Sequence, residues 1–103
     1  MLESAFQGAL IKELKAMFPG CLVLKNDPNY IQGIPDLSIF YKNKWAMLEC
    51  KDGANASHQP NQDIYVEQAN SMSFARFIYP ENKQEVLDEL QQTFQPRRKT
   101  RVP

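Results

Sequence analysis

Two apolar segments at the centre of the chain constrain the fold most. Residues 36–41, DLSIFY, and 45–51, WAMLECK, flank the short polar turn KNK, which is the pattern of a β-hairpin. Apolar side chains lie on both faces of this predicted hairpin, with Leu37 and Ile39 on one face and Trp45 on the other. Because both faces must be buried, the pattern predicts a layered α/β domain with a mixed sheet flanked by helices.

The rest of the chain predicts alternating helices and strands. Apolar spacing and the positions of Pro and Gly indicate a helix over 2–18, a strand over 21–25, a loop over 26–35, a helix over 60–70, a strand over 73–79 and a helix over 82–94. We expect Ile64 and Ala69 to point inward from the second helix. The last helix is expected to bury Val86, Leu87, Leu90 and Phe94. The predicted order αβββαβα forms one domain over residues 1–94.

Charge is distributed unevenly along the chain. The chain has 12 basic and 12 acidic residues, but the segment 95–103, QPRRKTRVP, holds four of the basic residues and none of the acidic ones. The body before this segment therefore carries a net charge of −4. We expect a flexible basic tail here, which is either simply solvated or acts as a phosphate-binding arm.

Composition excludes several classes of protein. The chain has no apolar run of about 18 residues or more and no signal-peptide pattern, so we expect no membrane span and a cytoplasmic location. Cys21 and Cys50 are too few for a disulfide framework and, with His58 as the single histidine, form a poor zinc site. We expect both cysteines to be buried core thiols.

The length of the hairpin turn decides where the charged residues lie. A turn of two or four residues pairs positions whose numbers sum to 85, so that Asp36 faces Glu49 and Lys51 projects from the same face. A three-residue turn would shift the register by one and send Asp36 and Glu49 to opposite faces. An even turn thus places two carboxylates and one ammonium group together at one end of the sheet.

Two facing carboxylates repel each other by a few tenths to about 1 kcal/mol even when exposed. A cation must offset this repulsion, and two candidates are open. Mg²⁺ prefers carboxylate oxygens and could clamp a phosphate and activate a water, which is a basis for phosphodiester hydrolysis. The alternative is a salt-bridged strand end in which Asp36 and Glu49 share Lys51.

The segments GIPDLSIF and WAMLECKDG resemble the motifs of the PD-(D/E)XK nuclease superfamily. Pro35-Asp36 matches the first motif, and Glu49-Cys50-Lys51 matches the second. The sequence is most similar to the VRR-NUC group, small nuclease domains of phages and bacteria. SHQPNQ is similar to that group's S-P-x-Q start of the next helix, with Gln62 at the glutamine position. The predicted element order also resembles the restriction-endonuclease-like core, αβββαβ.

The resemblance implies a role for each matching residue. It makes Asp36 and Glu49 ligands of Mg²⁺ or Mn²⁺, together with the backbone carbonyl of Cys50, and it makes Lys51 the catalytic lysine. Glu3 would approach the metal from the first helix, directly or through water. Outside this set, the resemblance implies that Gln62 supports the site from the second helix. His58, Lys25 and Lys42 have no matching role and are expected to be solvent-exposed or to contact phosphate.

These observations lead to one expected function and its alternatives. The resemblance implies a metal-dependent DNA endonuclease that cleaves branched DNA such as Holliday junctions and works as a homodimer, with no organic cofactor. A nicking or flap nuclease within a larger complex is one alternative. A non-catalytic nucleic-acid-binding domain on the nuclease fold is the other.

Overall fold

The computed structural model describes residues 2–96 and has the predicted order of elements. Its helices and strands are α1 (Glu3–Met17), β1 (Leu22–Lys25), β2 (Leu37–Tyr41), β3 (Lys44–Cys50), α2 (Pro60–Met72), β4 (Ala75–Ile78) and α3 (Lys83–Phe94). The fold class is therefore α/β, as expected. Most of the basic tail predicted over 95–103 lies outside the described residues. Its first residue, Gln95, donates a hydrogen bond to the Tyr41 hydroxyl at 3.1 Å.

The four strands form one mixed sheet in the order β1-β2-β3-β4. β1, β2 and β3 are antiparallel neighbours, whereas β3 and β4 run parallel and are connected through α2. Tyr41 pairs with Lys44, so the hairpin turn has two residues, and Lys42 adopts a φ of 55° within it. Phe40 pairs with Trp45, and the two residue numbers sum to 85, as the even turn predicted. The register that brings Asp36 opposite Glu49 is confirmed.

The main hydrophobic core lies on the face of the sheet that α1 and α3 cover. α1 directs Phe6, Leu10 and Leu14, each four residues from the next, toward this face. Buried residues from the strands and from α3 complete the core: Leu37, Ile39, Tyr41, Ala46, Leu48, Cys50, Ile78, Val86, Leu87, Leu90 and Phe94. The residues predicted to be buried in the last helix are all buried. This core fixes the first turn of α1 at one end of the sheet.

The opposite face is covered by α2, but only over β3 and β4. Ala69 is buried as predicted, whereas the prediction for Ile64 is wrong, because its side chain is 59% exposed. Val66 is buried instead. Residues 62, 66 and 69 share one side of the helix, and residue 64 lies on another. The β1–β2 half of this face leaves large apolar side chains exposed: Leu22, Leu24 and Phe40.

Two further expectations concern the membrane and the cysteines. No helix within residues 2–96 is both long and apolar enough to cross a membrane. Cys50 is fully buried and Cys21 partly buried, and both are free thiols. Burial was therefore predicted correctly for Cys50 and only in part for Cys21.

Candidate metal centre

Three carboxylates converge at the end of the sheet that lies opposite the hairpin turn. Asp36 precedes β2, Glu49 lies near the end of β3, and Glu3 opens α1. One carboxylate oxygen from each residue lies within 4.8 Å of the others. Three residues that are 33 and 13 positions apart in the chain are thus brought together, as an even hairpin turn predicted for Asp36 and Glu49 and as the resemblance implied for Glu3. Glu49 is almost completely buried, Asp36 is partly buried, and Glu3 is exposed.

Backbone hydrogen bonds across the hairpin hold Asp36 and Glu49 in place. The Asp36 N–H donates to Glu49 Oε1 at 3.1 Å, and the Cys50 N–H donates to Asp36 Oδ2 at 2.9 Å. Each carboxylate therefore accepts a bond from the opposite strand, which is possible only in the register with Asp36 facing Glu49. The side chain of Cys50 points to the core face of the sheet. Only its backbone faces the acidic cluster, and ligation by its carbonyl stays a prediction.

The loop before Asp36 is anchored by Asn26, which the sequence analysis did not single out. The Asn26 side-chain amide donates to the Pro35 carbonyl at 2.8 Å and to Ser38 Oγ at 2.9 Å. Its backbone N–H also donates to the Asp36 carbonyl at 2.8 Å. No short motif marks this role, because the bonds span 9 to 12 residues and depend on the pairing of β1 with β2.

Lys51 and Gln62 form the polar wall of the site. The Lys51 ammonium donates to Gln62 Oε1 at 2.7 Å and to the Ser57 carbonyl at 3.1 Å, and it lies 3.7 Å from Glu49 Oε2. Gln62 Nε2 donates to Glu49 Oε2 at 2.9 Å. Gln62 thus connects the lysine to the buried carboxylate. Within residues 2–96, Lys51 pairs with Glu49 and forms no ion pair with Asp36, so the two carboxylates do not share the lysine.

The local structure of α2 explains why Gln62 reaches the site. Gln59 and Gln62 form a reciprocal capping box, in which Gln62 Oε1 also accepts the Gln59 N–H at 3.0 Å. Pro60 occupies the first helical position, where a missing N–H costs nothing. The cap starts the helix directly beside Glu49. The start of this helix at residue 60 was predicted, whereas a cap formed by glutamine rather than serine or threonine was not.

Burial and mutual repulsion make the three carboxylates poor anions in the absence of a cation. Burial, followed by the charge of Asp36, raises the pKa of Glu49 from its ordinary value of 4.5 to about 7. Burial likewise raises the pKa of Asp36, although the Cys50 N–H and Lys51 oppose this increase. Glu3 is exposed as a residue, but partial desolvation of its carboxylate, followed by the charge of Asp36, raises its pKa as well. One nearby lysine therefore does not compensate the three negative charges.

The donor set fits a hard divalent cation. Mg²⁺ binds carboxylate oxygens at about 2.1 Å, so that two ligand oxygens on one ion lie at most about 4 Å apart. The oxygens of Glu3, Asp36 and Glu49 lie within 4.8 Å of one another, which is less than about 1 Å beyond this limit, and the exposed side chain of Glu3 has room to move. The three side chains provide only oxygen ligands. The Cys50 thiol lies on the other face of the sheet, and because its pKa is raised to about 12 it would not be a thiolate ligand.

A polar cleft opens beside the carboxylates. It has a volume of about 360 Å³ and is lined by Glu3, Lys51, Asp52, Ala56, Ser57, Gln59 and Gln62. The cleft contains the exposed carboxylate, the buried lysine and the capping glutamines. A phosphate group could therefore approach Glu3 and Lys51 from solvent without a rearrangement of the core.

The remaining candidates lie outside this cluster. The His58 ring stacks on Phe77, with ring centroids 4.0 Å apart, and its Nδ1 lies 2.9 Å from Asp63 Oδ1. His58 is exposed, as are Lys25 and Lys42, in agreement with the expected surface positions. Contact of these side chains with phosphate stays a prediction.

Comparison with known proteins identifies no relative of this chain. No protein-family model, no curated protein and no solved structure matches the chain. The likeness to the PD-(D/E)XK superfamily therefore rests on the motifs in the sequence alone.

Proposed function

We propose that this protein is a Mg²⁺- or Mn²⁺-dependent DNA endonuclease. The observation that carries the proposal is the convergence of Glu3, Asp36 and Glu49 within 4.8 Å, with the Lys51 ammonium 3.7 Å from Glu49. A buried and a partly buried carboxylate next to a lysine and an open cleft suit hydrolysis of an anionic ester. The motif resemblance supplies the substrate class, a DNA phosphodiester.

Each residue has a defined task in this reaction. Bound at the carboxylates, Mg²⁺ or Mn²⁺ would polarise the phosphate and lower the pKa of a water. Glu49 and Asp36 are held for ligation by backbone N–H groups from the facing strand. Lys51 has three N–H donors, of which Gln62 and the Ser57 carbonyl engage two. Its third N–H makes no hydrogen bond within residues 2–96, although the ammonium lies 3.7 Å from Glu49, and it would orient the attacking water or offset charge in the transition state.

Hydrolysis by water attack at phosphorus would leave a 5′-phosphate and a 3′-hydroxyl, as the resemblance implies. The oxygen of the 3′-hydroxyl leaves with the electron pair of the broken bond and receives a proton. Gln62 does not touch the phosphate in this account. It holds Lys51 and Glu49 at a fixed separation, which makes it a positioning residue.

Branched DNA is the proposed substrate, and a homodimer the proposed state. A domain of this size has little surface for reading sequence, so that recognition by shape is the simpler mode. Two paired cuts at a junction require two sites related by symmetry. The exposed apolar side chains of Leu22 and Leu24 on edge strand β1, and of Phe40 on the neighbouring β2, support a contact between two copies. The resemblance to nuclease domains of phages and bacteria implies that the protein acts in the cytoplasm of a bacterial or phage-infected cell.

Incubation with labelled DNA tests this proposal directly. A four-way junction, a fork and a plain duplex are incubated with and without Mg²⁺, and the products are resolved on denaturing gels. We expect cleavage of the junction by the wild type, loss of cleavage in chelator, and loss in Asp36→Asn and Lys51→Met. Asp52→Asn is the matched control, because it removes an equal charge from the cleft beside the carboxylate cluster but not from the cluster itself. Cleavage that persists in chelator or in Asp36→Asn would overturn the metal mechanism.

A further inference from the structure

Gly33, in the loop between β1 and β2, lies unusually close to the first turn of α2. Its φ is +91°, and a Cβ placed on it would lie 2.4 Å from the Cβ of Asn61 and 2.9 Å from the Asn61 carbonyl carbon. Non-bonded contacts of a Cβ atom are essentially never shorter than 3.0 Å. Glycine is therefore required here for two separate reasons, the left-handed backbone and the contact with the helix.

This contact joins the two halves of the proposed site. Gly33 precedes Asp36 by three residues, and the Asn26 bonds to Pro35 and Ser38 fix the intervening backbone to β2. On the other side, Asn61 directly precedes Gln62, whose side chain bridges Lys51 and Glu49. The Gly33–Asn61 approach is thus where the segment that carries Asp36 touches the helix that carries Gln62.

We propose that Gly33 is a positioning residue that sets the distance between the start of α2 and the carboxylate cluster. This inference rests on the proposed function for its catalytic consequence. An ordinary contact begins near 3.4 Å, so that a Cβ at position 33 must separate loop and helix by about 1 Å. The loop is tied to β2 by Asn26, and the displacement therefore falls on the first turn of α2. Gln62 then loses its bond to Glu49 or its bond to Lys51.

Gly20 provides a matched control for the test. It follows α1 with a φ of +87°, almost the same as that of Gly33, but a Cβ there would meet nothing within 4 Å. Gly20→Ala therefore introduces the same backbone strain without the contact. Any effect of Gly33→Ala beyond that of Gly20→Ala measures the separation of the loop from α2.

We expect Gly33→Ala to reduce Mg²⁺-dependent junction cleavage about 10- to 100-fold, since a misplacement of about 1 Å can cost that much. Gly20→Ala is expected to stay within about threefold of the wild type. A readout that needs no activity is the NMR signal of the Gln62 side-chain amide. It should move toward the position of a free amide in Gly33→Ala and stay unchanged in Gly20→Ala. Equal amide shifts in the two variants would overturn the inference.

A second variant keeps the test decisive if Gly33→Ala does not fold. Gly33→Ala/Asn61→Gly removes the Cβ that lies at 2.4 Å, which relieves the worst contact. We expect the double variant to fold and to recover part of the native Gln62 amide signal, and a double variant as perturbed as Gly33→Ala alone would refute the positioning role. The two proposals can fail separately. A wild type that cleaves no DNA but shows the expected amide shifts would refute the nuclease and leave the positioning role intact.

Discussion

Replacing Asp36 with asparagine tests which charge dominates at this position, the repulsion from Glu49 that a cation would relieve or the attraction to Lys51. In the first case Asp36 repels Glu49 until a cation arrives, so its neutralisation should stabilise the metal-free protein. In the second case Asp36 attracts Lys51, so the same substitution should destabilise it. Asparagine keeps the shape of the side chain, and its carbonyl oxygen can still accept the Cys50 N–H bond that Asp36 Oδ2 accepts at 2.9 Å.

The size of the effect follows from the separation of the charges. Oxygens of Asp36 and Glu49 lie within 4.8 Å of each other. Two unit charges at that distance interact by about 3 kcal/mol at an effective dielectric constant of about 20. Loss of the attraction between Asp36 and Lys51 offsets part of this gain. We expect Asp36→Asn to raise the free energy of unfolding by about 1 to 2 kcal/mol at pH 8 in chelator.

The pH dependence provides an internal control. At pH 5 Glu49 is protonated, because its pKa in the folded protein is about 7, and the repulsion that asparagine relieves is then absent. Urea unfolding is measured in EDTA and in Mn²⁺, each at pH 8 and at pH 5, which gives four conditions. The expected result is stabilisation by the substitution at pH 8 only and loss of stabilisation by Mn²⁺. An Asp36→Asn variant that is less stable than the wild type at pH 8 in EDTA would refute the reasoning.

Three further predictions concern the same cluster. In chelator, the free energy of unfolding of the wild type should fall by up to about 3 kcal/mol as the pH rises from about 4.5 to about 7. The reason is that the pKa of Glu49 is raised to about 7 in the folded protein, so the folded state keeps this proton to a higher pH than the unfolded chain does. Urea titrations at several pH values that show no decline would contradict this prediction. Stabilisation by Mn²⁺, measured as a shift in melting temperature, should be larger at pH 8 than at pH 5.5, because the proton competes for Glu49; an equal shift at both values would place the ion elsewhere. Gln62→Ala should lower stability by about 1 to 3 kcal/mol in urea unfolding, because Glu49 and Lys51 both lose a buried partner, whereas the exposed Gln68→Ala on the same helix should change it little.

The hairpin and its charges could be predicted because they depend on local pattern. Two apolar runs around a short turn define the strands, and an even turn alone brings Asp36 opposite Glu49. The orientation of α2 was harder to predict, since Ile64 is apolar but lies on the wrong side of the helix to reach the sheet. The burial of Gln62, Val66 and Ala69 toward the sheet sets the helix rotation, and a polar residue at the first of these positions masks the apolar pattern.

The contacts that assemble the site could not be predicted in the same way. Asn26 supports the backbone before Asp36 only because β1 and β2 pair, and Gly33 meets Asn61 across 28 residues of sequence. Neither contact leaves a periodic or compositional signal in one chain. Turn-forming residues mark the 26–35 segment as a loop, but the same residues would serve a loop with no tertiary role. Long-range packing therefore decides which of them support the site.

The elements that contribute to the cluster explain why its unfavourable charge persists. Glu3 comes from α1, Asp36 from the residue before β2, and Glu49 from β3, so the three carboxylates meet only when the helix has packed on the hairpin. The core on the α1 and α3 face holds them there, and the raised pKa of Glu49 reflects first its burial and then the repulsion from Asp36. A fold selected for stability alone would separate these charges. A bound cation would relieve the repulsion in the folded state and not in the unfolded chain, so that binding and folding must be linked. Two properties distinguish such a site from an acidic surface patch. A divalent metal raises the free energy of unfolding, and without metal the free energy of unfolding falls as the pH rises.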